Sequence, residues 1–184
     1  MAEGQSPGNI AKKMSYLKAV FNVAVNNSWI TVNPFQGLQA PADTDKKKRI
    51  PFSNDDINAI FSSAVYRGER PRGGGGDASY WLPLLSLYTG ARLEELSQMR
   101  RANVVRDENL GWFMEITDIE DGDTVKTESA RRRVPMHLEL LKFGFLAYID
   151  GLKSSPEGFI FPDMKADTEG YRGGNFSKWF GRYK

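Results

Sequence analysis

Apolar positions recur at helical spacing in several stretches of this chain, and in its middle the spacing shortens to that of strands. Ile10, Met14, Leu17, Phe21, Ala24 and Val25 fall on one face, which predicts an amphipathic helix over residues 9–26. That helix is expected to end near Asn26-Asn27, and Asn33-Pro34 starts an extended exit. From Gln39 to Arg49 (QAPADTDKKKR) apolar content nearly vanishes, as in a linker. One helix cannot bury its own stripe, so residues 1–38 read as the end of a helical domain.

A second unit opens at Pro51. Ser53 and Asp56 form an S-x-x-D cap ahead of Ile57, Ile60, Phe61, Ala64 and Val65, a second amphipathic helix. The run RGERPRGGGGDA reads as a glycine-rich surface loop. It lacks the G-K-[ST] ending of a nucleotide-binding P-loop, which excludes that reading. A buried helix over about Ser79 to Tyr88 follows, with Pro83 in its first turns, and Gly90 supplies the left-handed residue that turns the chain. Leu93, Leu96 and Met99 resume a helical face. Trp112–Thr117, Thr124–Thr127 and Arg132–Met136 then read as three short strands joined by polar turns. Leu138, Leu141, Phe145, Ile149 and Leu152 predict one helix stopped at Gly151, and Phe176, Trp179, Phe180 and Tyr183 a last one. The fold class is therefore α+β: mainly helical, with a small three-stranded antiparallel sheet, preceded by a helix from a second domain.

Composition narrows the chemistry. The 184 residues are 40% hydrophobic and 12% aromatic, enough for a buried core. With no cysteine, disulfide frameworks and thiolate zinc sites are excluded, and the single histidine His137 leaves too few ligands for the usual histidine-rich metal sites. No apolar run approaches the ~20 residues of a membrane span. No signal peptide opens the chain, so the expected location is cytoplasmic. The net charge is only +2, but residues 1–50 carry 7 basic and 3 acidic side chains while the rest is net negative. Any nucleic-acid surface must be local, made of Lys46, Lys47, Lys48 and Arg49 and of Arg131, Arg132 and Arg133.

The stretch LYTGARLEEL, Leu87 to Leu96, carries the candidate chemistry. Arg92 stands at a helix start after a Thr-Gly turn, where a rigid five-donor guanidinium suits an oxyanion. Glu95, three residues on, can orient it. Lys126, beside a tight turn between strands, can supply charge or a proton to a leaving oxygen. The plain alternative is a helix-surface pair and a solvated turn lysine. His137, after Pro135 at a helix start, reads as a capping or packing residue. No G-x-S-x-G elbow supports a serine hydrolase.

Taken together, T-G-A-R-L-E-E-L (Thr89–Leu96), V-K-T (Val125–Thr127) and R-R-V-P-M-H (Arg132–His137) resemble the tyrosine recombinases, the phage integrase family. The resemblance spans roughly Ile10 to Lys184. It implies that Arg92 is the first catalytic arginine, Glu95 its acidic neighbour and Lys126 the hairpin lysine. It also implies that residues 1–42 end a core-binding domain, that 43–50 form a basic linker, and that 51–184 begin a catalytic domain. The family's later H-x-x-R box, further histidine or tryptophan and nucleophilic tyrosine have no match here, because no arginine stands three residues after His137.

The resemblance therefore implies a piece of a bacterial or phage-encoded enzyme that recombines double-stranded DNA without a cofactor and self-assembles on it. This chain alone is expected to be inactive. A non-catalytic DNA-binding module on the same scaffold and a helical interaction domain without nucleic acid are the alternatives. Salt-dependent DNA binding separates the last from the others.

Overall fold

Ser6 and Ser53 each begin a helix by accepting a hydrogen bond from a backbone amide three residues on. These caps and the apolar stripes behind them set out the frame of a computed structural model that describes residues 5–41, 50–109, 111–116 and 131–183. Contacts divide the chain into two units, Met1–Pro51 and Phe52–Lys184.

In the first unit, α1 (Pro7–Asn26) starts one residue after the Ser6 cap and stops where Asn27 turns back onto Val23. The returning segment covers part of one face. Phe35 packs on Phe21 with ring centroids 5.0 Å apart. The Asn33 side chain, 6% exposed, donates to the Lys18 carbonyl and to Asn22, and accepts from the Phe35 amide. No residue of α1 is fully buried, and Tyr16, Val20 and Val23 remain exposed along another face.

The second unit is built around α3 (Ala78–Thr89), which buries Trp81, Leu82, Leu84 and Leu85. Each such side chain contributes about 1.5–3 kcal/mol on transfer from water. Against it lie Leu96, Met99, Met114, Leu140, Phe145, Ile160 and Phe161. Before α3, the Ser53–Asp56 capping box opens α2 (Asn54–Phe61), which is shorter than the stripe implies. Ala64 and Val65 instead lie in a 3-10 turn, where Val65 is still buried.

The sheet has three antiparallel strands in the order β1 (Val104–Asp107), β2 (Gly111–Ile116) and β3 (Arg132–Pro135). The class expected from the pattern holds, but the strands differ. Val104–Asp107 is a strand that the pattern did not suggest, since its polar Arg106 and Asp107 close a run of only two valines. The expected strand at 124–127 lies outside the described residues. Pairing of Met114 with Val134 and of Ile116 with Arg132 puts these four side chains on one face. Met114, Ile116 and Val134 pack into the core there, which leaves Arg132 at the core-side margin of the sheet.

Two further expectations are corrected. The helix expected from Leu138 onward is two, α5 (Leu138–Lys142) and α6 (Phe145–Gly151), because Gly144 takes a left-handed φ of 84° and breaks the ladder. Leu138 is consequently turned outward and 68% exposed. The glycine run is also more than a surface loop. Gly74 is buried, and a Cβ there would stand 2.8 Å from Ser79 Cβ and 3.0 Å from the Trp179 ring. Removing side chains from this turn lets the indole of α7 (Gly173–Tyr183) lie directly on backbone.

Candidate active site

The Thr89-Gly90 turn is built from its own side chain. Thr89 Oγ1 donates to the Leu85 carbonyl at 2.6 Å and accepts the Ala91 amide at 3.1 Å, while Gly90 adopts φ 62°. Ala91 is buried, which fixes the chain on the N-terminal side of Arg92. Arg92 then caps α4 (Leu93–Ser97) in extended geometry. With only five residues, α4 adds little dipole of its own, and the positive charge at this point comes from the guanidinium. That side chain is 82% exposed.

Glu95 is the hub. Its Oε2 accepts the Arg92 amide at 2.8 Å, and its Oε1 lies 3.5 Å from Arg92 Nη1. From β3, Arg132 donates Nη1 to Oε1 at 3.2 Å and Nη2 to Oε2 at 2.7 Å. This is a two-point guanidinium–carboxylate pair, stronger and more directional than a single contact. Burial pushes the Glu95 carboxyl up, but the Arg132 hydrogen bond, the Arg92 amide and both positive charges outweigh it, holding the group below the usual carboxylate range. The same hydrogen bond raises Arg132.

Of the three consecutive arginines expected to touch phosphates, Arg133 pairs across the sheet with Glu115 at 2.7 Å and Arg132 holds Glu95. Lys126, and Lys46, Lys47, Lys48 and Arg49, lie outside the described residues. His137 caps α5, its Nδ1 accepting the Glu139 amide at 3.2 Å, and it stacks on Tyr88 at 4.6 Å.

Sequence reasoning passed over Glu94. Its Oε1 accepts the Arg172 amide at 2.6 Å and its Oε2 the Gly173 amide at 2.8 Å, so it caps the start of α7. A Cβ on Gly173 would fall 2.7 Å from Oε2, so the carboxylate sits where a side chain would. The available signal was the doubled glutamate of LEEL: neighbouring helix residues point about 100° apart, so the two must serve different partners.

Three tyrosine hydroxyls are engaged elsewhere. Tyr66 donates to the Tyr80 carbonyl and Tyr148 to the Ile160 carbonyl, and burial pushes both phenols up. Tyr183 stacks on Trp179 at 4.7 Å and its hydroxyl is hydrogen-bonded with Ser63.

No family model and no curated protein matches the sequence. Solved structures do match. A fragment of the Tn1549 transposon integrase in complex with circular intermediate DNA superposes with a TM-score of 0.64 at 21% identity, over 98% of this chain and 58% of that chain. The chain shares the fold of the matched part of that integrase. An arginine-to-lysine variant of that integrase with circular intermediate DNA gives 0.59 at 22% identity, over 98% of this chain and 60% of that one. A tyrosine-to-phenylalanine variant with transposon right end DNA gives 0.58 at 21%, over 99% and 61%. The likeness is one of fold, and this chain spans about three fifths of the integrase chains it matches. Among the described residues, no helix is long and apolar enough to cross a membrane.

Proposed function

We propose that this chain is part of a site-specific DNA recombinase, an integrase acting on double-stranded DNA in a bacterial or phage-infected cytoplasm. The observation that carries the reading is Arg92: an exposed guanidinium fixed by a rigid turn and a shared carboxylate, in a chain with the fold of a transposon integrase. In this reading a tyrosine hydroxyl attacks a phosphodiester. A 3′-phosphotyrosyl bond forms and the 5′-oxygen departs as a hydroxyl. Arg92 stabilises charge on the non-bridging oxygens, and Lys126 protonates the departing oxygen. The covalent link retains the bond energy, so a second 5′-hydroxyl can reverse the step and rejoin strands.

Residues 1–42 serve as the end of a core-binding domain and 43–50 as a basic linker, with several copies assembling on one DNA. The H-x-x-R box and the nucleophile that the family places after it have no counterpart here, so the 184-residue chain by itself is inactive. The test has two arms. The chain binds duplex DNA with an affinity that falls steeply with salt, and salt-independent binding contradicts the reading. On a nicked suicide substrate it forms no covalent adduct, whereas the protein carrying its downstream portion does. DNA binding with no adduct from the longer protein identifies a non-catalytic module instead.

A further inference from the structure

Three arginines in a row at 131–133 look alike in the sequence, yet the fold sends two of them to different faces of the sheet. Arg133 and its partner Glu115 lie on the face away from Met114 and Ile116, and that pair is 62% and 29% exposed. Arg132 lies on the core-side face and reaches α4. We infer that Arg132 is a positioning residue: by gripping both oxygens of Glu95 it locks the carboxylate that fixes the amide and guanidinium of Arg92, and so sets where that guanidinium stands.

Three observations carry this. The grip is two-point, so it fixes the rotation of the carboxylate as well as its place. Glu95 is 14% exposed and receives Arg92 on the same two oxygens, so a change at one guanidinium is felt by the other. Arg132 belongs to a strand whose register is set by the pairs Ile116–Arg132 and Met114–Val134, with Met114 fully buried, so the anchor is rigid. The charged groups facing Glu95 among the described residues are Arg92 from its own helix start and Arg132 from β3.

The catalytic consequence rests on the proposed role of Arg92, so the test separates the two. In the protein carrying its downstream portion, Arg132→Ala is expected to slow single-turnover DNA cleavage tenfold or more, with DNA affinity and its salt slope unchanged. Arg132→Lys should recover only part of the rate, since a point charge cannot hold two oxygens. Adding Glu95→Gln to Arg132→Ala should cost little more, because both changes break one unit.

A drop in affinity with a salt slope shallower by about one for Arg132→Ala would make it a phosphate contact and overturn the inference. Carboxyl NMR of Glu95 in the 184-residue chain reads the grip itself. Its titration midpoint should rise in Arg132→Ala and in Arg132→Lys, and stay put in Arg133→Ala; an unmoved midpoint in the Arg132 variants also overturns it. If the midpoint moves but Arg92→Ala cleaves normally, the recombinase role of Arg92 fails while the grip of Arg132 on Glu95 stands.

Discussion

Glu94 and Glu95 are neighbours in one short helix, yet they belong to different parts of the molecule. Glu94 faces inward, where its carboxylate takes two backbone amides at the start of α7. Glu95 faces the sheet margin, where it takes one amide and two guanidiniums. One closes a helix end that packing would otherwise leave unsatisfied; the other holds an exposed arginine still. Identical side chains thus divide between capping a distant helix and steadying an exposed guanidinium, and helix geometry decides which does which.

The largest expected effect lies on the Glu95 side. On the proposed recombinase reading, Arg92→Ala in a cleavage-competent protein that contains this chain should reduce cleavage by about 100-fold or more, on the order of 3 kcal/mol of transition-state stabilisation. Its melting temperature should hardly move, because the side chain is 82% exposed. Near-normal cleavage, or a large loss of stability, would erase the contrast between the two glutamates. On the other side, Glu94→Ala should destabilise the chain by about 1–3 kcal/mol, the cost of leaving part-buried amides without an acceptor. Urea denaturation measures this, and a neutral result would mean that α7 does not depend on the clamp.

The smallest effect is one of pH. The folded pKa of Glu95 is depressed, so its ionised form adds stability above the ordinary value of 4.5, and that contribution is lost as pH falls through the lowered folded value. The stability gap between the wild type and Glu95→Gln should therefore be constant near neutrality and close on acidification below that value. A gap that widens in acid would have the wrong sign for a carboxylate held ionised by Arg132.

Much of the frame was legible because helices announce themselves by stripes and caps. The Ser53–Asp56 box, the left-handed Gly90 and the apolar face of α7 all follow from residue chemistry within a few positions. What escaped depends on partners far along the chain. Val104–Asp107 is a strand only because Gly111–Ile116 lies beside it, and Gly74 is buried only because Trp179 arrives from a distant helix. In the candidate site, Arg92 and Glu95 were visible as a pair three residues apart. The partnership of Arg132 with Glu95 was not, since it joins residues 37 apart and nothing in a run of three arginines marks the middle one.

The docking of α7 also bears on the order in which the chain folds. Its anchors reach back 78 and 79 residues to Glu94 and 120 residues from Tyr183 to Ser63. The β1–β2 hairpin, by contrast, closes between neighbours in sequence. Closing long loops costs more chain entropy than closing short ones, and distant contacts form late when they need a finished surface to land on. Glu94 is such a surface, since it can receive the α7 amides only after the turn at Gly90 has set α4 against α3. The hypothesis is that α7 joins last, with the Arg172 and Gly173 amides gaining protection after those of the hairpin in pulsed hydrogen exchange. Simultaneous protection would refute it. A nascent chain of this kind would keep the Phe176, Trp179 and Phe180 rings in water until that step, which makes the interval before α7 lands its most aggregation-prone moment.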